Sequence, residues 1–507
     1  MLPSQAPKAV NSPARSNPIA QSAMKAALQQ INAGRDHAAL PILDSALARM
    51  PRDPALLQTK GLALRNLGDL APALEILKRA RALAPRDPLI AHTLARATME
   101  AGLPASALYA EALKLAPGKP DIVLGNVAAL LADGEARRAE ATLREASFGK
   151  PAWSQAHREL LRLRLMLGQS FESANEGFAR AVAARPAELA LWHGWISALM
   201  EARRGAEADA VLARARTALP GQPLWAALEP LIAAMGGDAD RADRGFAALG
   251  RLDRADLLQG FVRHLFRQGR HAQALSEALR GLPMPGGRHL WPYVALGLRL
   301  TDDPRWHWVE GDERLVSVID LPIDADALDA LARRLRTLHL TIAEPPEQSV
   351  RRGTQTDGPL FSRLEPEIRQ LREAVTRAVR QHIARLPPVD PRHPTLAMRR
   401  DQPVRYAGAW SVRLTDAGYH ADHVHSAGWL SSAFYVRTPD TLDADTHAGW
   451  LSLGEVRDLV PDLAPFRLVE PRPGRLVIFP SVMWHGTRPF AAGERMTVAF
   501  DVATPPA

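Results

Sequence analysis

Two clusters carry the residue types from which a metal site can be built. One is Tyr419-His420-Ala421-Asp422-His423-Val424-His425, and the other is the run from Gly474 to His485, followed by Arg495. Imidazole and carboxylate are the ligands that non-haem iron(II) favours, and a facial set of three leaves positions open for a cosubstrate and oxygen. Two ligands at i and i+2 on a strand face the same way, so the first cluster offers two alternative pairs, His420 with Asp422 or His423 with His425. On a regular strand those pairs lie on opposite faces, and only one of them can join His485 around one ion. Arg495 lies ten residues beyond His485, at the start of a run that alternates Arg495, Thr497, Ala499 and Asp501 against Met496, Val498, Phe500 and Val502. That alternation puts Arg495 on a small, polar face, where its guanidinium can pair bidentately with a carboxylate.

Residues so far apart must be brought together by strands. Short runs at Ala409–Leu414, Leu430–Val436, Arg475–Phe479 and Arg495–Val502 are rich in β-branched and aromatic residues. Asp416-Ala417-Gly418 and Pro473-Gly474 read as turns between them. Leu364–Ala384 reads as an amphipathic helix suited to covering one sheet face. Together these predict a double-stranded β-helix, or jelly-roll, with a helical buttress, over residues 306–507 with its core at about 404–504. Trp429, Trp450 and Trp484 are read as core or rim packing, and Gly353–Thr356 as a tight structural loop.

The preceding chain has a different texture. Gly34, Gly68, Gly102, Gly134 and Gly168 are spaced by 34, 34, 32 and 34 residues. Each is followed by a small residue, at Ala39, Ala73, Ala107, Ala139 and Ala174, and each unit closes on a proline, at Pro51, Pro85, Pro117, Pro151 and Pro186. Glycine turns the chain between two helices, alanine lets them approach, and proline ends the second. Residues 22–305 therefore read as an all-α superhelical array that resembles the tetratricopeptide family, with six to eight units. Residues 1–21, rich in Pro, Ser and Ala, are expected to be a disordered lead.

Composition narrows the classes. The chain has 507 residues, is 47% hydrophobic and 23% charged, and contains no cysteine, which excludes disulfides, thiolate metal sites and cysteine nucleophiles. The lack of cysteine, of a signal peptide and of any long apolar run leads us to expect a cytoplasmic protein with no membrane span. The net charge of +8 is spread among interspersed acids and bases, so a nucleic-acid groove is not expected.

Residues from about 306 to 507 resemble the bacterial 2-oxoglutarate/iron(II) oxygenases that occur behind tetratricopeptide arrays. The resemblance is carried by Gln348–Phe361, His420–Val436, Pro473–Phe490 and Glu494–Val502. It implies Fe(II), 2-oxoglutarate and O2 as the reacting set, with 2-oxoglutarate decarboxylated to succinate while a substrate C–H bond is hydroxylated. It also implies that Arg495 holds the distal carboxylate of 2-oxoglutarate and that Tyr435 adds a hydroxyl contact. In this family a His-x-His pair precedes a Gly-Trp-Leu-Ser strand, which favours His423, His425 and His485 as ligands over the His420–Asp422 pair. Asp422 is then expected behind a histidine, holding its tautomer. The architecture suggests a protein or peptide substrate presented by the repeat groove. The alternatives are a small molecule or glycan substrate with the repeats used for assembly, or a scaffold with an inactive barrel. The oligomeric state is not legible.

Overall fold

The structure is a computed structural model and describes residues 18–440, 442 and 445–505. Most of the expected lead, residues 1–17, lies outside the described residues. Its last four residues do not: the first helix, Pro18–Asn32, already includes them.

Among the described residues, seventeen α-helices run from Pro18 to Leu300, mostly as antiparallel pairs. Pro54, Pro88, Pro120 and Pro223 each open a helix, where the missing N–H costs nothing. Asp53 and Asp87 cap the second and third of the pairs, each carboxylate accepting two backbone N–H bonds. The five expected glycines all adopt the left-handed conformation, with φ between 71° and 80°. The period continues in the less regular half at Arg203 (φ 58°), Gly237, Gly269 and Asp302. Ala39, Ala73, Ala139 and Ala174 are buried where helices cross, as their size requires. In the third unit Ala107 is exposed and the equivalent place is taken by the buried Tyr109, which packs against Gly125 of the next helix.

The remainder is a twisted antiparallel sheet of nine strands: β1 (Ser317–Asp320), β2 (Val350–Gln355), β3 (Tyr406–His423), β4 (Gly428–Arg437), β5 (Leu451–Leu453), β6 (Arg467–Val469), β7 (Arg475–Pro480), β8 (His485–Thr487) and β9 (Arg495–Ala503). Their order is β1-β7-β4-β9-β3-β8-β5-β6, with β2 on the free side of β3. The long strand β3 is shared: its first half pairs with β9 and its last residues with β8, which folds the sheet into a nearly closed jelly-roll. Gly353–Gln355, read from sequence as a loop, is strand, paired to Val412–Leu414. Helices Ala325–Arg336 and Pro366–Arg385 cover the outer face, where Leu328, Leu331, Leu371 and Val375 pack on Phe434, Leu476, Met496 and Val498. The inner face carries Tyr435, Val477, Phe479 and Met483.

The array does not trail from this domain. Four of its turns, at Gly34, Gly68, Gly102 and Gly168, lie against it, and each meets a different group. Arg405 donates to Gly34 O and pairs with the buried Asp36 carboxylate at 3.1 Å. Arg372 donates to Gly68 O at 3.0 Å, and Leu364 N to Ala101 O at 3.1 Å. Ile342 N and Ala343 N both reach Met166 O at 3.2 Å, beside the Gly168 turn. Towards the far end Arg263 and Arg267 grip Asp458 at 2.6 and 2.8 Å, and Trp484 donates to Pro292 O at 3.1 Å. Among the described residues, no helix is long and apolar enough to cross a membrane.

Candidate metal centre

His423 at the end of β3 sits opposite His485 at the start of β8, an in-register pair. His425, two residues on, hydrogen-bonds through its backbone N–H to Ser481 O at 2.9 Å, which turns its ring back toward the other two. One nitrogen from each of His423, His425 and His485 lies within 4.8 Å of the others. Ring centroids are 4.2 Å apart for His423 and His485, 4.9 Å for His423 and His425, and 5.2 Å for His425 and His485.

The second nitrogen of each ring is fixed from behind. Nδ1 of His423 faces Ala421 O at 2.8 Å, Nδ1 of His485 faces Met483 O at 3.0 Å, and Nδ1 of His425 faces Asp501 Oδ2 at 2.7 Å. These acceptors hold the proton on Nδ1 and leave the Nε2 lone pairs for a metal. Ser349 Oγ stands 3.2 Å from His423 Nε2, donating to the lone pair that a metal would take. Asp501 is itself held by Ser431 Oγ at 2.6 Å. Neither Asp501 nor Ser431 was singled out from the sequence. The alternation along β9 does place Asp501 on the polar face, but the histidine it serves is 76 residues away.

The other pair goes elsewhere. Both oxygens of Asp422 are taken by Arg457, through Nε at 2.8 Å and Nη2 at 2.5 Å, and Oδ2 also accepts Arg457 N at 2.8 Å. Asp422 therefore holds no histidine tautomer, contrary to expectation, because a bidentate guanidinium satisfies it. His420 follows neither expected face: a bulge between it and His423 breaks the strand alternation, so its ring stacks at 6.0 Å on that of His423. Its Nδ1 lies 3.1 Å from Ser349 Oγ. Asp422→Asn is expected to leave metal affinity within a factor of about two while lowering the thermal midpoint, since it breaks only the Arg457 clamp; a metal titration beside a melting curve checks both.

Arg495 is buried in the interior, 2% exposed. Its guanidinium carbon lies 5.0 Å from the ring centre of Tyr435, its Nε has no hydrogen-bond partner, and no carboxylate among the described residues pairs with it. The Tyr435 hydroxyl is also buried without a partner. Burial pushes the Arg495 pKa down and the Tyr435 pKa up. A buried cation without a counterion is costly and is retained where a ligand completes it. Trp429 and Trp484 are buried and donate to Thr395 O and Pro292 O, which makes them packing residues; Trp450 is half-buried against His447.

Burial also keeps the ring nitrogens unprotonated. It drives His485 down to about 3, with the charge of His425 adding to the effect, and drives His423 well below its usual value. For His425 the Asp501 carboxylate outweighs burial and raises the pKa. Histidines with depressed folded-state values bind fewer protons folded than unfolded below about pH 6.5, so stability falls with pH through the window between that value and about 3. His339 and His382, each lowered by burial to about 4, act in the same direction. Metal-free protein is therefore expected to melt progressively earlier as pH drops from 6.5 to 4, measured by calorimetry at fixed ionic strength. A flat profile would contradict these burial effects.

Comparison with known proteins adds a family and a set of helical repeats. Residues 408–501, which hold all three clustered histidines and Arg495, match the family described as "Putative 2OG-Fe(II) oxygenase". No curated protein matches the chain. Among solved structures, MamA from Desulfovibrio magneticus is 17% identical over 34% of this chain and 98% of its own, at a TM-score of 0.30. A thermophilic TPR protein of Thermus thermophilus is 25% identical over 36% of this chain and 99% of its own, at 0.28. A tetratricopeptide repeat protein from Parabacteroides merdae is 17% identical over 46% of this chain and 92% of its own, at 0.29.

Proposed function

We propose that this chain is an iron(II)- and 2-oxoglutarate-dependent oxygenase that hydroxylates a protein or peptide segment brought to the barrel by the repeat array. The observation that carries the reading is the pairing of three tautomer-fixed imidazoles with a counterion-free arginine inside one barrel. Imidazole nitrogens suit iron(II), and the buried guanidinium suits a carboxylate, so the donor set fits both groups.

In this reading His423, His425 and His485 hold the metal, and Arg495 with Tyr435 holds the distal carboxylate of 2-oxoglutarate. Bound iron and 2-oxoglutarate supply the oxidising chemistry, with succinate and carbon dioxide as by-products. The chain's own contribution is to position and to insulate. Asp501 orients His425 and supplies, one bond behind it, the negative charge that a carboxylate ligand would bring. Phe479, with its ring centroid 4.7 Å from that of His485, and Trp410, 5.6 Å from His425, exclude water from the ring faces. A protein or peptide substrate is favoured because the array is docked on the domain through at least four of its turns, which fixes its groove relative to the barrel.

The test is succinate formation by the full-length protein, prepared without oxygen and then given Fe(II), 2-oxoglutarate and air. Slow turnover without added substrate, abolished by a chelator, is expected. Absence of both turnover and 2-oxoglutarate binding would leave the barrel a scaffold.

A further inference from the structure

The rings of the three histidines are fixed by hydrogen bonds, yet the backbone that carries two of them is only lightly held by the sheet. His425 lies beyond the last residue of β3, and His485 opens β8, a strand of three residues. Ligands on such segments keep their geometry only when something outside the ligand set fixes the chain, because looseness of about 1 Å is enough to spoil a site.

The end of the array does this. Its 3-10 turn Gly287–Leu290 and the helix Trp291–Leu300 lie behind the ligand segments. Trp484, the residue before His485, is buried, donates through Nε1 to Pro292 O at 3.1 Å and meets Tyr293 edge-on, with ring centroids 5.6 Å apart. Val424, between His423 and His425, packs on the same apolar cluster as Trp484, most of which is array and includes Leu258, Val262, Tyr293 and Leu296. Ser426, the residue after His425, has its Oγ 2.6 Å from Nδ1 of His289. Arg288 donates to Gly428 O and to Thr504 Oγ1, both at 3.1 Å. The first of these bonds holds the turn that follows His425, in which Gly428 N donates to His425 O at 2.8 Å. The second holds the end of β9, the strand whose Asp501 orients the His425 ring. The wall is itself firmly seated. The buried Tyr293 hydroxyl accepts from Gln259 at 3.0 Å and Arg263 at 3.1 Å, and a side chain on Gly287 would collide with Gly281 O and Leu282 O.

We infer that Gly287–Leu300 is the outer wall of the metal centre, and that Trp484 and Arg288 are positioning residues that set the spacing of the three histidines through the backbone beside them. The inference rests on the reading of those histidines as metal ligands. It adds that the array builds the site, besides presenting a substrate to it. A contact whose task is attachment alone can close anywhere along the junction, as Arg372 does at the Gly68 turn from a helix that carries no ligand. Here the last turns of the array reach, directly or through one apolar cluster, a residue adjacent to each ligand. The unit that holds the metal then begins near Gly287, ahead of the change of texture at residue 306.

The test is a cobalt(II) titration of full-length, metal-free protein followed by visible absorption, with a melting curve for each variant. Trp484→Phe keeps an aromatic ring and removes the bond to Pro292. Arg288→Gln removes the guanidinium from a half-buried side chain outside the core, and Arg372→Gln cuts an array contact away from the ligands. Wild type is expected to bind cobalt. Trp484→Phe and Arg288→Gln are expected to bind it about tenfold more weakly and with a shifted absorption band, the scale of losing support behind a ligand. Arg288→Lys, which can still reach one of the two oxygens, recovers part of the loss. Arg372→Gln is expected to melt earlier while binding cobalt as wild type does. Unchanged affinity and spectrum in either Trp484→Phe or Arg288→Gln overturns the inference, whatever the melting temperature. A loss in Arg372→Gln as large as that in Arg288→Gln overturns it as well. If Trp484→Phe does not fold, Arg288→Gln decides alone. A wild type that takes up no cobalt overturns the metal reading and this inference with it, whereas uptake that the wall variants leave untouched counts against the wall alone.

Discussion

In the Arg495→Met protein, calorimetric titration is expected to show metal binding preserved and affinity for 2-oxoglutarate reduced roughly 200- to 4,000-fold. The range follows from the cost of leaving a buried carboxylate without its partner, about 3–5 kcal/mol. A second signature accompanies it. Arg495 is 2% exposed, carries an unpartnered Nε and has no carboxylate against it among the described residues. Replacing it with an apolar side chain of similar length removes an uncompensated buried charge, so the ligand-free variant is expected to melt higher than wild type. Wild type should regain that difference when 2-oxoglutarate is added, because a ligand that binds only the folded state stabilises it. A variant that binds 2-oxoglutarate normally would remove Arg495 from the site. One that melts lower would show that its role is structural.

His485→Ala is expected to lower metal affinity by about three orders of magnitude. A structural metal site is worth about 10–16 kcal/mol, so one ligand among three or four carries several kcal/mol. Cobalt(II) absorption suits the measurement because it reports coordination without turnover. Asp422→Asn should give the wild-type spectrum, since Arg457 and not a metal holds that carboxylate. The reverse result, cobalt retained in His485→Ala and lost in Asp422→Asn, would restore the His420–Asp422 pair as ligands. The fold itself should survive His485→Ala, because the ring is lost from a site whose other wall, Phe479 and Met483, is apolar and closely packed.

Most of the architecture was legible because it is local. A 34-residue period repeats its own turn and crossing residues, and the alternation in β4, β7 and β9 reports the two faces of a sheet. The misreadings come from contacts that sequence distance hides. Asp416-Ala417-Gly418 does contain a left-handed residue, Ala417 at φ 59°, yet the chain remains in β3 on either side of it. Three strands, β5, β6 and β8, are three residues each, too short to show any period. Asp422 lies two residues from a histidine and looks like half of a ligand pair. Its real partner lies 35 residues away, and nothing in the local pattern marks Arg457. The docking of the array spans 304 residues at Arg372 and 371 at Arg405, and it leaves no trace in composition.

Repeat proteins ordinarily gain and lose whole units with ease, because each repeat touches only its neighbours. The row of docked turns withdraws that freedom here. Arg405 addresses the turn at Gly34, Arg372 the one at Gly68, and the chain at Ile342 the one at Gly168, each by its own chemistry. Deleting one 34-residue period between Gly68 and Gly168 would leave the first two contacts in place and carry every later turn one step out of register, Arg203 included. The array is thus free to drift residue by residue but fixed in length, like a key whose cuts can be recut but not counted differently.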